Sequence, residues 1–69
     1  MRIEWVLEGI TGFTPAYRGC WTLYNGNEEQ ARGRTEWTED QDALSDMVLD
    51  AVEYETGMKQ HSDNLERKN

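Results

Sequence analysis

The chain has 69 residues, 36% of them hydrophobic and 30% charged, and 14 Asp and Glu against 7 Lys and Arg give a net charge of −7. That length holds one small domain, which buries only about 60% of the surface its unfolded chain exposes. A single cysteine excludes an internal disulfide, no Cys/His cluster points to a structural metal or other cofactor, and the net charge argues against direct nucleic-acid or membrane binding through a broad basic surface. Stability must come from packing the three Trp, three Tyr and one Phe, or from a partner subunit. The longest apolar run, Trp5-Val6-Leu7, is far too short to cross a bilayer, and Met1 to Trp5 has no apolar stretch of signal-peptide length. With one cysteine, these features lead us to expect a reducing, cytoplasmic location.

Residues 2–8 alternate, with Ile3, Trp5 and Leu7 on one side and Arg2, Glu4, Val6 and Glu8 on the other, which is the two-residue period of a half-buried strand. The segment from Gly9 to Tyr17 has two Gly, one Pro and no period, so it is expected to be a loop. Its Phe13 and Tyr17 are expected to close the core, with partner anchoring as the alternative role.

Residues 18–24 and 30–37 form the arms of a hairpin around Asn25-Gly26. A two-residue Asn-Gly turn would pair Leu23 with Glu28 and Trp21 with Gln30, mixing polar groups into the apolar face. A five-residue loop from Asn25 to Glu29 instead pairs Leu23 with Ala31, Trp21 with Gly33, Gly19 with Thr35 and Tyr17 with Trp37. The other face then pairs Thr22 with Arg32, Cys20 with Arg34 and Arg18 with Glu36. Because faces must agree across a sheet, the longer loop is preferred. Trp21 would cover the bare backbone of Gly33.

Residues 39–56 make the clearest element, a helix. Thr38 suits the N-cap, Thr38-x-x-Gln41 matches a capping box, and Gly57 suits the C′ stop. Leu44, Met47, Val48, Ala51 and Val52 form its apolar stripe. Residues 58–69 carry a single Leu among polar residues and are expected to be a disordered tail. The expected fold is α+β: one domain over residues 1–57, with a three-stranded antiparallel sheet in β-β-β-α order and one amphipathic helix across one face. Ile3, Trp5, Leu7, Trp21, Leu23 and Trp37 would meet the helix.

The charge is segregated. Six acids and all seven basic residues lie outside residues 36–55, which leaves that part at +1, whereas residues 36–55 hold eight acids and no Lys or Arg. On a helix from 39, Glu39, Asp42, Asp46, Asp50 and Glu53 fall in one stripe opposite the apolar one. Neighbours in such a stripe are ~5–6 Å apart, close to the separation of phosphates along a nucleic-acid strand. The stripe can be a solvated helix face, or it can dock on a basic surface in place of nucleic acid.

Arg18, Arg32 and Arg34, with Tyr24, would sit on the sheet face away from the helix. There they can form cross-strand ion pairs, which is the preferred reading, stack on nucleic-acid bases or on a partner's side chains, or meet the acidic face of another copy in a homodimer. Cys20 has no His or second Cys near it in sequence, and His61 lies in the polar tail. Asp40-x-Asp42-x-x-x-Asp46 lacks the glycine of a calcium loop, and Gly9-x-x-Gly12 lacks the Lys of a phosphate loop. No catalytic constellation emerges, so an enzyme is not expected.

No motif places the chain in a family. In size, charge and β-plus-helix plan it resembles the small acidic proteins, such as anti-CRISPR and anti-restriction proteins, with which phages and mobile elements block nucleic-acid machinery. The resemblance implies an inhibitor acting in the host cytoplasm on a protein with a basic, nucleic-acid-binding surface. The alternative expectation is a structural or self-assembling module using the sheet edge or the Arg/Tyr face.

Overall fold

The alternating run at the N-terminus becomes a nine-residue strand, β1 (Arg2–Ile10), in a computed structural model that describes residues 1–69. It pairs antiparallel with β2 (Ala16–Asn25), which pairs antiparallel with β3 (Glu28–Arg34). A 3-10 turn (Gln41–Ala43) leads into the helix α1 (Leu44–Thr56), and a second one (Ser62–Asn64) leads into β4 (Leu65–Arg67). β4 lies parallel to β1, so the architecture is α+β with a four-stranded mixed sheet in the order β3-β2-β1-β4.

The core forms where the apolar sides of sheet and helix meet. Leu44, Val48 and Val52 recur at four-residue spacing on α1 and are fully buried against Ile3, Trp5, Trp21 and Leu23. Met47, Ala51 and Leu7, also expected inside, lie half-buried at the margin. Two glycines permit the close fit. A Cβ at Gly19 would stand 2.6 Å from Val48 Cγ2 and 3.2 Å from Trp5 Cε3, and one at Gly33 would stand 2.6 Å from Trp21 Cζ2. Trp21 therefore covers Gly33 as the pairing argument requires.

The hairpin combines features of both expected geometries. Leu23–Ala31, Trp21–Gly33, Thr22–Arg32 and Cys20–Arg34 pair as the longer loop demands. The five-residue loop itself does not form, because a bulge at Gln30 lets Tyr24 face Glu29 and Asn25 face Glu28. The hairpin closes on Gly26-Asn27, with positive φ at Gly26 (64°) and at no non-glycine residue, the pattern of a type II′ turn.

A second slip occurs after Thr35. The Thr35 N–H donates to the Gly19 carbonyl, while the Gly19 N–H donates to the Thr35 hydroxyl oxygen at 3.0 Å. Tyr17 then exchanges two 2.7 Å backbone bonds with Thr38, one residue beyond the expected partner Trp37. A slip of one residue reverses the facing of a side chain. Trp37 accordingly leaves the core for the opposite sheet face, where it is 40% exposed with the Arg18 guanidinium 4.3 Å from its ring centre. The expected Arg18–Glu36 pair is replaced by Arg18–Glu8, since these two residues face each other across β1 and β2.

The same bridge delays the helix. Thr38 is held extended by Tyr17, so the chain cannot turn helical at residue 39. The Thr38 hydroxyl oxygen accepts from the Asp40 N–H (3.1 Å), and the Asp40 carboxylate accepts from the Asp42 N–H (3.0 Å) as cap of the 3-10 turn. The α-helix proper begins at Leu44 instead of 39. It ends as expected, with Gly57 at φ 72° donating to the Glu53 carbonyl at 2.7 Å.

Residues 58–69 are not a disordered tail. β4 pairs Leu65 with Ile3 and Arg67 with Trp5, and Leu65 packs on the core. The Lys68 N–H donates to the Trp5 carbonyl at 2.9 Å. The Asn69 amide then imitates a strand residue: its Oδ1 accepts from the Leu7 N–H and its Nδ2 donates to the Leu7 carbonyl, both at 3.0 Å. Phe13 is likewise not a core residue. It stands fully exposed in the loop between β1 and β2, beside a half-exposed Ile10. No helix is long and apolar enough to cross a membrane.

Replacement of Gly19 by alanine must push Val48 or Trp5 from its seat, at a cost of about 1–3 kcal/mol. Urea unfolding of Gly19→Ala is expected to show that loss, whereas Gly12→Ala, where an added Cβ meets nothing within 4 Å, shifts the midpoint little.

Candidate functional site

The eight acids of residues 36–55 are all exposed. Asp46, Asp50 and Glu53 share the outward face of α1 at spacings of four and three. Asp42 lies in the preceding 3-10 turn and Glu39 in the bend that follows Thr38, so the five candidate carboxylates do not form one continuous helical stripe. None of the eight takes part in an ion pair. The four pairs present, Arg2–Glu4, Arg18–Glu8, Arg32–Glu29 and Lys68–Glu66, use acids elsewhere in the chain. α1 also carries Glu53 and Glu55 in its last turn with no basic residue there. The negative end of the helix dipole disfavours carboxylates at that position by roughly 0.3–1 kcal/mol each.

The opposite sheet face is largely self-neutralised. Arg18 Nε donates to Glu8 Oε1 at 2.9 Å and the guanidinium caps Trp37. Arg32 is held by Glu29 at 2.6 Å, and Arg2 lies 4.6 Å from the centre of the Tyr24 ring. Arg34 is the candidate cation without an ion pair. Tyr24, Arg32 and Arg34 meet around an open hollow of about 580 Å³ that also borders Val6, Cys20 and Lys68, and Arg18 is not part of it. Trp37 and Lys68 have no place in the sequence-based account of this face. The expected register puts Trp37 in the core, and Lys68 arrives only through the pairing of the C-terminal strand with β1.

The individual chemistry is modest. The Cys20 thiol donates to Glu8 Oε2 at 3.4 Å. Burial first, and then the Glu8 carboxylate, push the Cys20 pKa above its ordinary 9.0. The Arg18 hydrogen bonds first, and then that of Cys20, hold the Glu8 carboxyl below its ordinary 4.5. Arg32 does the same for Glu29, and Glu29 raises Arg32 in return. His61 is exposed and next to the turn before β4. No group of three or more His, Cys, Asp or Glu side chains is arranged to hold a metal ion.

The fold and these surfaces define a small α+β domain with an unneutralised acidic helix on one side and an ion-paired sheet face on the other. The chain matches no protein-family model, no curated protein and no solved structure.

Because its folded pKa is depressed, Glu8 contributes stability above its unfolded value, and that contribution is lost as pH falls through the folded value. Thermal unfolding between about pH 3 and pH 7 is expected to show a shallower acid limb for Glu8→Gln than for the wild type. At pH 8 Cys20 should react with iodoacetamide more slowly than free cysteine, and Glu8→Gln should speed it up. A wild-type rate equal to that of free cysteine would contradict this geometry.

Proposed function

We propose that this chain is a non-enzymatic binding protein that inhibits its partner by occupying a basic, nucleic-acid-binding surface, in the manner of the anti-CRISPR and anti-restriction proteins it resembles in type. The observation that carries the reading is the set of eight exposed carboxylates with no ion pair, while four of the seven cations are engaged elsewhere. Asp46, Asp50 and Glu53 form the centre of the docking face, with Asp42 and Glu39 extending it toward the sheet. Like charges at four-residue spacing and carboxylates at the C-terminal end both destabilise a helix. A helix selected for stability alone would mix signs. The protein's electrostatic field also favours rapid encounter with a basic partner.

A second reading, self-association, draws on the hollow around Arg34 and Lys68, whose exposed Val6 and free Arg34 could receive the acidic helix of another copy. Sedimentation across a wide concentration range tests it, and a strict monomer disposes of it.

The main reading is tested by reversing three charges at once, Asp46→Lys, Asp50→Lys and Glu53→Lys, all at exposed positions where the fold is not at stake. A partner captured by the immobilised wild-type chain at about 50 mM salt should be released near 200 mM and displaced by duplex DNA. The triple variant should bind it at least about 100-fold more weakly. Retained affinity in the triple variant, or a partner that duplex DNA does not displace, overturns the reading.

A further inference from the structure

We propose that the groove between β3 and α1 seats an extended, Lys- or Arg-containing segment of the partner protein, which adds as a fifth strand to the free edge of β3. This inference rests on the acidic-face reading above and names the segment that the acidic face receives.

The first observation is an accounting of sheet edges. β4 and the Asn69 side chain cover β1 on one side of the sheet, while β3, at the other side, has no neighbour beyond it. Thr35 turns its N–H to β2, so by antiparallel alternation Arg32 and Arg34 turn theirs to the open side. An extended peptide can bond to such an edge through its main chain alone.

The second observation is a buried donor at the same place. Trp21 is 2% exposed, its indole lies with the Nε1–Cζ2 edge against Gly33, and its Nε1–H has no acceptor. Buried polar groups are nearly always bonded, and an orphan donor is costly. Trp21 lines an open groove of about 560 Å³ between β3 and α1. A peptide that leaves the β3 edge and crosses toward α1 would bring a carbonyl oxygen into this groove, because within the paired stretch its carbonyls stay in the plane of the sheet. Met47, a flexible side chain that also lines it, is the residue best able to move as an acceptor comes within reach of the N–H.

The third observation decides the charge of the occupant. Glu36, Asp50 and Glu55 border the groove against a single cation, Arg34, and none of the four has an ion pair, so the lining is net negative, while Tyr54 beside them is 91% exposed. A cationic side chain alternating along an added strand meets carboxylates and an aromatic face suited to a cation. Phosphate or an acidic peptide meets three like charges. A second copy paired through β3 would bring two −8 segments side by side, which disfavours that occupant as well.

The test uses the full chain, labelled with ¹⁵N, and two synthetic heptapeptides of the same charge. One is the plain sequence Val-Lys-Val-Arg-Val-Lys-Val. The other carries N-methyl groups at alternate amides on the edge that would pair. The plain peptide is expected to shift the Trp21 Nε1–H and the Arg32 and Arg34 amide resonances in a saturable way. The N-methylated one is expected to bind at least about tenfold more weakly, and Tyr54→Ala to weaken the plain peptide several-fold. Equal affinity of the two peptides, with shifts confined to the acidic residues of α1, overturns the groove while leaving acidic-face docking intact. Binding by neither peptide overturns the groove as well, and the charge-reversal experiment then judges the broader reading on its own. Broadening of the β3 amides that grows with protein concentration in the absence of peptide assigns the edge to a second copy and also overturns the proposal.

Discussion

The structure depends on the contact between the Leu44–Val48–Val52 ridge of α1 and the sheet at Gly19. Val48 can settle against the sheet because Gly19 presents no side chain, and Trp5 closes the same space from β1. In a chain this short, seven buried apolar side chains constitute the whole core. The two buried tryptophans supply much of its area, and each also covers backbone that a smaller residue would leave open. The position of the helix, and therefore the direction in which its carboxylates point, follows from this one close approach.

Around that contact the chain resolves competing local demands through irregularities. The bulge at Gln30 reconciles a tight glycine turn with an apolar face that must stay in register. The Thr35 hydroxyl substitutes for a backbone acceptor where the strand pairing starts to slip. The Tyr17–Thr38 bridge then keeps the chain extended and postpones the helix to Leu44. Each device is a local hydrogen-bonding solution whose consequences are long-range. The Tyr17–Thr38 bridge both turns Trp37 to the outer face and moves Glu39 and Asp42 off the helix.

The electrostatic asymmetry is the feature that most resembles a functional design. On the sheet Arg2, Arg18, Arg32 and Lys68 are matched to nearby acids, brought together by cross-strand pairing or short sequence separation, and Arg34 is left unpaired. The helix segment receives no such partners. Three of its carboxylates, Glu36, Asp50 and Glu55, lie with the β3 edge and the buried indole of Trp21 where α1 meets the end of the sheet. The proposed docking site draws on this side and not on the arginine face.

Much of the architecture was legible in the residues alone. Alternation identified β1, facing consistency identified the pairing of Trp21 with Gly33 and Leu23 with Ala31, and the four-residue apolar spacing identified the core ridge of the helix. The −8 segment and its lack of basic residues are properties of composition, which folding cannot alter. Tertiary structure alone decided the rest. A register slip leaves no mark in composition, because it depends on which backbone partner wins at Thr38, and so Trp37 and the start of the helix were misplaced. β4 was invisible because a three-residue strand contributes one apolar side chain, Leu65, too few to show a period, and is otherwise held by backbone bonds to β1 and one asparagine amide. The groove beside β3 has no sequence motif at all, since it exists only where an uncovered strand edge and a helix, distant in the chain, are brought side by side by the core they share.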